Sequence, residues 1–328
     1  MCVYQIKPLL FAKKQGYTFV ISSKEKWFFI IKGSEIMKRT KKEKSIEAYR
    51  KAIHIFICPI CKQSLHVSKH QSLVCKNNHT FDFAKQGYVN LLTRPIKSQY
   101  DKQLFKSRRK LIRDSRLYHK LHKKILEVIA GFVPTSQNQP LKVLDAGCGE
   151  GSHIEKITIM DSKITMTTVG LDITKEAIQI AARDYEEHLW LVGDLANTPF
   201  VDHSFDVILN ILSPANYTEF NRILSKGGLV IKIVPRQHYL VEVREVLKGE
   251  INEPSYDNED VVNHFKKHLK LKDQFSLTYE KAVNEAEFTD LIKMTPLAWR
   301  VKDDQFQSLI KQKNKVTIDL EMLIGEKL

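Results

Sequence analysis

From residue 141 onward the chain alternates short apolar runs with segments of helical period. "LKVLDAG" reads as a strand, because a short apolar run closed by a turn residue suits a buried strand. "SHIEKITIM" follows as a helix, "ITMTTVGLDI" as a strand and "TKEAIQIAARDYE" as a helix. "HLWLVGD", "FDVILNIL" and "GGLVIKIVP" are three more strands, with the helix "NYTEFNRIL" ahead of the last. Helices near 238–249 and 258–270, the strand "QFSLTYEKAV", the helix "EAEFTDLIKM" and the terminal "KVTIDLEMLI" complete a mixed sheet. This alternation predicts an α/β fold, a parallel sheet with helices on both faces. Upstream, the span 97–124 reads as helical, with Leu104, Leu111, Leu117, Leu121 and Ile125 on its apolar side. The chain holds no internal repeat and no low-complexity tract.

Hydrophobic residues make up 43% of the 328, enough for a real core. The longest apolar runs are far too short to cross a bilayer. The opening "MCVYQIKPLLFAKK" has no secretory pattern, so a cytoplasmic protein without disulfides or membrane partners is expected. The net charge of +14 is segregated: residues 1–57 carry 13 Lys or Arg against 4 Glu, and residues 85–124 carry 13 against 2 Asp. The rest is acidic on balance. A polyanion-binding front on a near-neutral to acidic body accounts for this; a merely solubilising lysine-rich surface is the plainer account.

Three of the five cysteines lie in "CPICKQSLHVSKHQSLVCKNNH", spaced Cys58-x2-Cys61-x13-Cys75-x3-His79. Two short-spaced pairs separated by a small hairpin can close a tetrahedron around Zn2+ with no open position, which makes the site structural. The metal would supply folding energy that about 30 residues cannot obtain from a core. His66 and His70 are alternative ligands; His79 is preferred because its pairing with Cys75 repeats the knuckle spacing. The following "TFDFAKQGYVNLLTR" is aromatic and basic. Phe81, Phe83 and Tyr88 could stack on bases, or Phe81 and Phe83 pack the zinc module, in which case Lys85 and Arg94 would present charge to a phosphate backbone.

"VLDAGCGEGS" is the informative turn: Asp145 closes the first strand, and Gly147, Gly149 and Gly151 follow. Alternate glycines let the backbone bend and approach a ligand, but Ser152 stands where a dinucleotide fingerprint wants its third small residue. An acid before the loop suits a ligand with a positive amine, such as S-adenosylmethionine. Asp172 closes the second strand, where a carboxylate can accept both ribose hydroxyls, and Asp194 closes the third, where an adenine amine could be read. Three acids on three successive strand ends form one signal.

Taken together, "CPIC…C…H…FDFAKQGYVNLL", "LDAGCGEG", "GLDITKEAI" and "MTPLAWR" resemble the bacterial 23S rRNA (guanine-N1)-methyltransferases from about Cys58 to the C-terminus. The resemblance implies a class I, Rossmann-like S-adenosylmethionine methyltransferase with a small N-terminal zinc module. It implies methylation of guanine N1 in a 23S rRNA hairpin loop near the peptide-exit tunnel, a homodimer with zinc modules flanking an RNA cleft, and, in one branch, resistance to tylosin-type macrolide antibiotics. By motif, Cys58, Cys61, Cys75 and His79 are the zinc ligands. The cofactor site is Asp145, Ala146, Gly147, Cys148, Glu150 and the intervening Gly149, then Gly151, Asp172, Ile173, Asp194, Leu195 and Asn210. Tyr118 resembles a cofactor-touching tyrosine, though its spacing after the arginine pair is one residue longer here, and Tyr239 is the counterpart of a second contact.

Methyl transfer from a sulfonium is an in-line displacement that depends on alignment, and the proton on guanine N1 must leave. The reacting base belongs beyond the fourth strand, at "LNILSPANYTEF". There Asn210 and Ser213 can bond a base edge and Pro214 stiffens the turn; no carboxylate in this loop offers itself as the general base. The target base must be flipped out. Arg108, Arg109, Arg113 and Arg116 could follow phosphates, and Trp299 with Arg300 could stack on and clamp the target loop, or be a core tryptophan with a surface arginine.

These signals divide the chain into residues 1–36, an extension; 37–57, a basic segment; 58–96, a zinc-binding RNA-recognition module; 97–134, a basic helical linker; and 135–328, the methyltransferase domain. The extension is either a strand-rich RNA-binding appendage or a stretch ahead of the true start. "KGSEIM" back-translates to a purine-rich run just before Met37, which favours the second; an intact mass beginning at Met1 refutes it. Two rival functions remain: a small-molecule methyltransferase, which leaves the zinc module and basic arm idle, and an RNA-binding or ribosome-assembly protein with a vestigial cofactor site, which leaves the three acids idle.

Overall fold

The computed structural model describes residues 10–14, 17–21, 29–32, 39–69, 71–96, 102–132, 139–161, 163–246, 257–295, 310 and 313–328. Residues Met1–Thr40 form one compact unit and Lys41–Leu328 a second. The first contains an antiparallel sheet of β1 (Leu10–Lys14), β2 (Tyr17–Ile21) and β3 (Phe29–Lys32), in that order.

The second unit begins with helix α1 (Lys41–Ala52), then the antiparallel strands β4 (Leu65–Val67), β5 (Ser72–Cys75) and β6 (Thr80–Asp82). Short β7 (Val89–Asn90) leaves this ribbon and pairs in parallel with β10 (Leu189–Val192), capping an edge that would otherwise expose unpaired backbone groups. Between them come α2 (Lys102–Arg109), α3 (His119–Phe132), β8 (Leu141–Ala146), α4 (Ser152–Met160), β9 (Met166–Asp172) and α5 (Lys175–Asp184). Then follow β11 (Phe205–Ile211), α6 (Tyr217–Ile223), β12 (Leu224–Pro235), α7 (Val241–Val246), α8 (Glu259–His268), β13 (Leu269–Ala282), α9 (Glu285–Met294) and β14 (Lys315–Lys327). The main sheet runs β13-β14-β12-β11-β8-β9-β10-β7. Its middle is parallel and its β12-β14-β13 end antiparallel, the class I methyltransferase arrangement. Reversal of strand order between β8 and β11 opens a crevice at the carboxyl ends, where ligands bind in such sheets.

Every residue of β10 is buried, and β8 and β11 nearly so, because helices and the ribbon cover both faces. One core joins α3, α4 and α9 to the sheet. The other joins α1 and the ribbon to it, with Phe56 stacked on Tyr49 and 5.7 Å from the Phe200 ring. The ribbon therefore borrows the core of the sheet, in addition to the metal and the module's own phenylalanines that the sequence had suggested would hold it. Phe83 packs edge-on against Tyr49 at 5.0 Å, and buried Tyr88 accepts a hydrogen bond from Gln179. These aromatics are packing residues, not stacking platforms.

The span expected to be one helix is broken. After α2 the backbone makes a π turn (Lys110–Asp114), and Arg116 takes a left-handed φ of 54° before α3 starts. A π turn spends one residue more than an α turn, so α2 and α3 do not continue one helix. The fold places Tyr118 at the crevice despite its altered spacing. Leu117 N–H bonds back to Leu111 O at 3.0 Å, closing the break.

Candidate functional site

Two knuckle turns bring Cys58, Cys61, Cys75 and His79 together, with all four ligand atoms within 4.8 Å of one another. Cys61 and Cys75 Sγ lie 3.6 Å apart, and His79 Nδ1 is 3.5 Å from Cys58 Sγ and 3.4 Å from Cys75 Sγ. A tetrahedron with Zn–S bonds of about 2.3 Å has edges of about 3.8 Å, so the cluster fits zinc. The chemistry agrees, since thiolates and imidazole reject hard cations. His66 is exposed on β4 and apart from the cluster, while His70 lies outside the described residues. The Gln63 backbone N–H pushes the Cys61 thiol below its usual range, while burial pushes the Cys58 thiol up.

A cavity of about 870 Å³ opens at the carboxyl ends of β8, β9, β11 and β12. Its size suits a cofactor together with part of a substrate. The turn after β8 forms its floor, with Gly147 at φ 78° and Gly151 at φ 82°, values that side chains resist. Gly147 lies against Ser213, so the turn and the loop after β11 touch. Asp172 clamps the turn by accepting from Gly149 N–H at 2.8 Å and from Thr174 N–H at 2.8 Å. A carboxylate offers about four lone-pair sites, so both oxygens keep capacity for a ligand's hydroxyls. The hydroxyls of Tyr118 and Tyr239 hydrogen-bond at 2.5 Å on the wall, joining two residues 121 apart in sequence.

Two family models match the chain: the RlmA N-terminal zinc ribbon over residues 56–99, and a methyltransferase domain over 144–232. YxjB of Bacillus subtilis, assigned by its name to 23S rRNA (guanine-N1) methylation, is 38% identical over 277 residues, 83% of this chain and 97% of its own. The family follows from that match. This chain belongs to the 23S rRNA (guanine-N1)-methyltransferases. A 23S rRNA (guanine(748)-N(1))-methyltransferase of Streptomyces fradiae is 29% identical, covering 78% of this chain and 89% of its own. A Micromonospora griseorubida protein named for the guanine-N1 activity is 28% identical, covering 74% and 86%.

The methyltransferase thus uses S-adenosylmethionine, which brings an electrophilic methyl group on a sulfonium, and carries a structural Zn2+ site. Of the residues expected to hold the cofactor, Tyr118, Gly147, Gly149, Asp172, Ile173, Asp194, Leu195 and Tyr239 line the cavity. Asp145, Ala146, Cys148, Glu150 and Gly151 lie behind this wall, buried in the turn. Burial, opposed by Arg108 and reinforced by Glu150 and Asp172, pushes the Asp145 carboxyl up to about 7. One of its oxygens, Oδ2, has no hydrogen-bond partner among the described residues. Asp145, on the end of β8, is thus a buried acid behind the cavity wall, not on the cavity surface.

Three further placements depart from the sequence reading. Arg108, expected on phosphates, lines the cavity and ion-pairs with fully buried Glu150 at 3.3 Å. Arg109 pairs with Asp184 at 2.9 Å, tying α2 to α5. Asn210, expected to read a base edge, spends its amide inside the fold. Its Nδ2 donates to Ala146 O at 2.7 Å and Pro214 O at 3.0 Å, and its Oδ1 accepts from Lys232 Nζ at 2.5 Å. Asn210 is a staple between strand and loop, whereas Ser213 and Pro214 do face the cavity. Lys85, Arg94, Arg113 and Arg116 are exposed. Trp299 and Arg300 lie outside the described residues.

Sequence reasoning passed over Lys232 and His153, both on the cavity wall. A lysine inside the apolar run "LVIKIV" was the available signal for the first. His153 had none, because only the folded turn buries it against His122, whose Nε2 lies 2.9 Å from its Nδ1. Burial keeps both imidazoles neutral, His122 being pushed down to about 3.

Proposed function

We propose that this chain transfers a methyl group from S-adenosylmethionine to N1 of a guanine in a hairpin loop of 23S rRNA near the peptide-exit tunnel. One observation carries the reading: a zinc ribbon shares its core with the sheet whose strand ends form the cofactor cavity. Neither rival needs that union, since a small-molecule enzyme has no use for the ribbon and an RNA-binding protein has none for the cavity. The names of the relatives point the same way.

In this reading the ribbon and the exposed Lys85, Arg94, Arg113 and Arg116 hold phosphates, which supplies affinity and salt sensitivity. The base is flipped onto the Ser213–Pro214 loop, and Trp299 and Arg300 clamp the RNA. Asp172 holds the ribose, Asp194 the adenine, and Tyr118 with Tyr239 the rest of the cofactor. The ribbon corresponds to residues 58–96, the linker to 97–134 and the catalytic domain to 135–328. The enzyme works in the cytoplasm as a homodimer with two ribbons flanking the RNA; sedimentation of the zinc-loaded protein at twice the chain mass is the expected result. No helix among the described residues is long and apolar enough to cross a membrane.

Primer extension on rRNA from a deletion strain tests the function. Loss of one reverse-transcriptase stop at a hairpin guanine, restored by the cloned gene, supports it; an unchanged pattern refutes it.

A further inference from the structure

The reaction must remove a proton from guanine N1, and the loop beside the cavity offers no carboxylate for the purpose. Residues 212–216 read Leu-Ser-Pro-Ala-Asn. Glu219, the first acid beyond them, is committed: it accepts from Thr198 Oγ1 at 2.5 Å and ion-pairs with Arg222 at 2.8 Å. Lys232 sits across the loop on β12. Only 4% of it is exposed, yet it lines the cavity, and its Nζ donates to Asn210 Oδ1 at 2.5 Å and to Ser213 O. No carboxylate among the described residues is paired with it, and burial pushes its ammonium down to about 8.

The hydrogen-bond count is the decisive point. A neutral amine has two N–H bonds and one lone pair. Asn210 and Ser213 accept two N–H bonds, so the neutral form satisfies both and leaves one tetrahedral direction for its lone pair on a residue that lines the cavity. Losing the third proton breaks neither bond. A lysine serving only as a staple would keep a desolvated charge in a sheet where an apolar residue packs at lower cost.

We infer that Lys232, as the neutral amine, is the general base that takes the N1 proton of the target guanine. The inference rests on the guanine-N1 reading above. The N1–H bond breaks with its proton passing to Lys232 Nζ. The pair left on N1 forms the new bond to the methyl carbon as the bond from that carbon to sulfur breaks, its electrons staying on sulfur. The neutral amine becomes an ammonium and the sulfonium a thioether, so charge and atoms balance. An amine titrating near the working pH is well matched to such a task.

The titratable groups on the flanking elements are Tyr217 on α6, Asp260 and His264 on α8, Glu321 on β14, and Asp194 after β10. Glu321 is occupied by Asn258 at 2.8 Å and Gln274 at 2.6 Å. His153, Asp172, Asp194, Asp260 and His264 also line the cavity; His153 is bonded to His122, Asp172 holds the turn, and Asp260 and His264 are the rival bases put to the test.

The test is single-turnover methylation by full-length, zinc-loaded enzyme with saturating S-adenosylmethionine, using rRNA and large-subunit particles from a deletion strain. The wild-type rate should rise with pH and level off above about 8. Lys232→Arg and Lys232→Gln should lose roughly 100-fold or more in kcat, typical for a positioned base, with little change in KM, and should lose that inflection. Asp260→Asn and His264→Gln should retain it. Calorimetry with S-adenosylmethionine confirms that each variant keeps its cofactor site. A second readout needs no turnover: 13Cε NMR of lysine-labelled wild-type protein, with Lys232→Gln assigning the resonance, should show one amine titrating near 8 instead of the ordinary ~10.4.

An active Lys232→Arg enzyme with the wild-type pH profile, or a Lys232 resonance titrating above 10, overturns the inference. So does loss of the inflection in the Asp260 or His264 variant. Wild-type enzyme that leaves no N1 stop on either RNA overturns the guanine-N1 reading itself.

Discussion

A methyl group added at Gly170 should damage stability and cofactor binding together. Gly170 lies in β9 behind the cofactor turn, and a Cβ there would fall inside the Trp190 indole, overlapping Cζ3 and Cε3, with Cys148 Sγ 3.1 Å away on another side. The ring cannot simply withdraw. Its benzo ring also abuts Gly151, where a Cβ would lie 2.9 Å from Cζ3, and its Nε1–H donates to Tyr185 O at 2.7 Å. Overpacking a dense core costs about 1–3 kcal/mol, and a weakened indole hydrogen bond adds about 1 kcal/mol. The lower backbone entropy of alanine in the unfolded chain returns about 0.4–1 kcal/mol. Gly170→Ala should therefore destabilise by about 2 kcal/mol, lowering Tm by roughly 3 °C in a chain of this size. A displaced indole also pushes on Gly151, the end of the cofactor turn, so the Kd for S-adenosylmethionine should rise about tenfold, equivalent to about 1.4 kcal/mol. Thermal melts and calorimetry measure both. Trp190→Phe in the same background removes much of the overlap, so the double variant should be more stable than the sum of the singles by roughly 0.5–3 kcal/mol. A Gly170→Ala protein that melts and binds like wild type, or a strictly additive cycle, refutes the view that the indole is the rigid wall behind the turn.

Other outcomes follow from the same contacts. Arg108→Met should leave buried Glu150 uncompensated and cost about 3–5 kcal/mol, read by denaturant melts; adding Glu150→Gln should recover most of it, and failure to do so rejects the pairing. Cys75→Ser should abolish the one zinc per chain measured by atomic emission. Hydrogen exchange should then open residues 41–96 while β8–β12 stay protected, because the sheet keeps its other core. Asp145 sets a pH dependence for the cofactor-free protein. Its carboxyl titrates at about 7 folded and near 3.9 unfolded. The stability it contributes is thus fully present below about pH 4 and lost as pH rises through 7. Tm should fall across that window, and an Asp145→Asn protein should show a flatter profile; equal slopes would count against the buried acid.

Much of this protein was legible before folding because its signals are local. Zinc ligation rests on spacing within 22 residues, and the glycine turn on alternate positions in five. The β-α alternation rests on periodicities that the backbone imposes over one element at a time. The strands from Leu141 to Pro235 accordingly stand close to where the apolar runs put them. Tyr118 does line the cavity, beyond a π turn that the helical pattern of its span did not announce.

Tertiary structure decided where each side chain spends its polarity. An arginine in a basic stretch looks the same whether it meets phosphate or Glu150, and the difference lies in a partner 42 residues away. Asn210 looked like a base reader until the fold consumed its amide on Ala146, Pro214 and Lys232. Phe83 and Tyr88 could have served RNA until the fold buried them. Periodicity reports which way a residue faces within its own element. Pairing and burial depend on neighbours brought in by chain reversal, and in a low-dielectric interior those neighbours determine whether a charge is paired, neutralised or left available for chemistry.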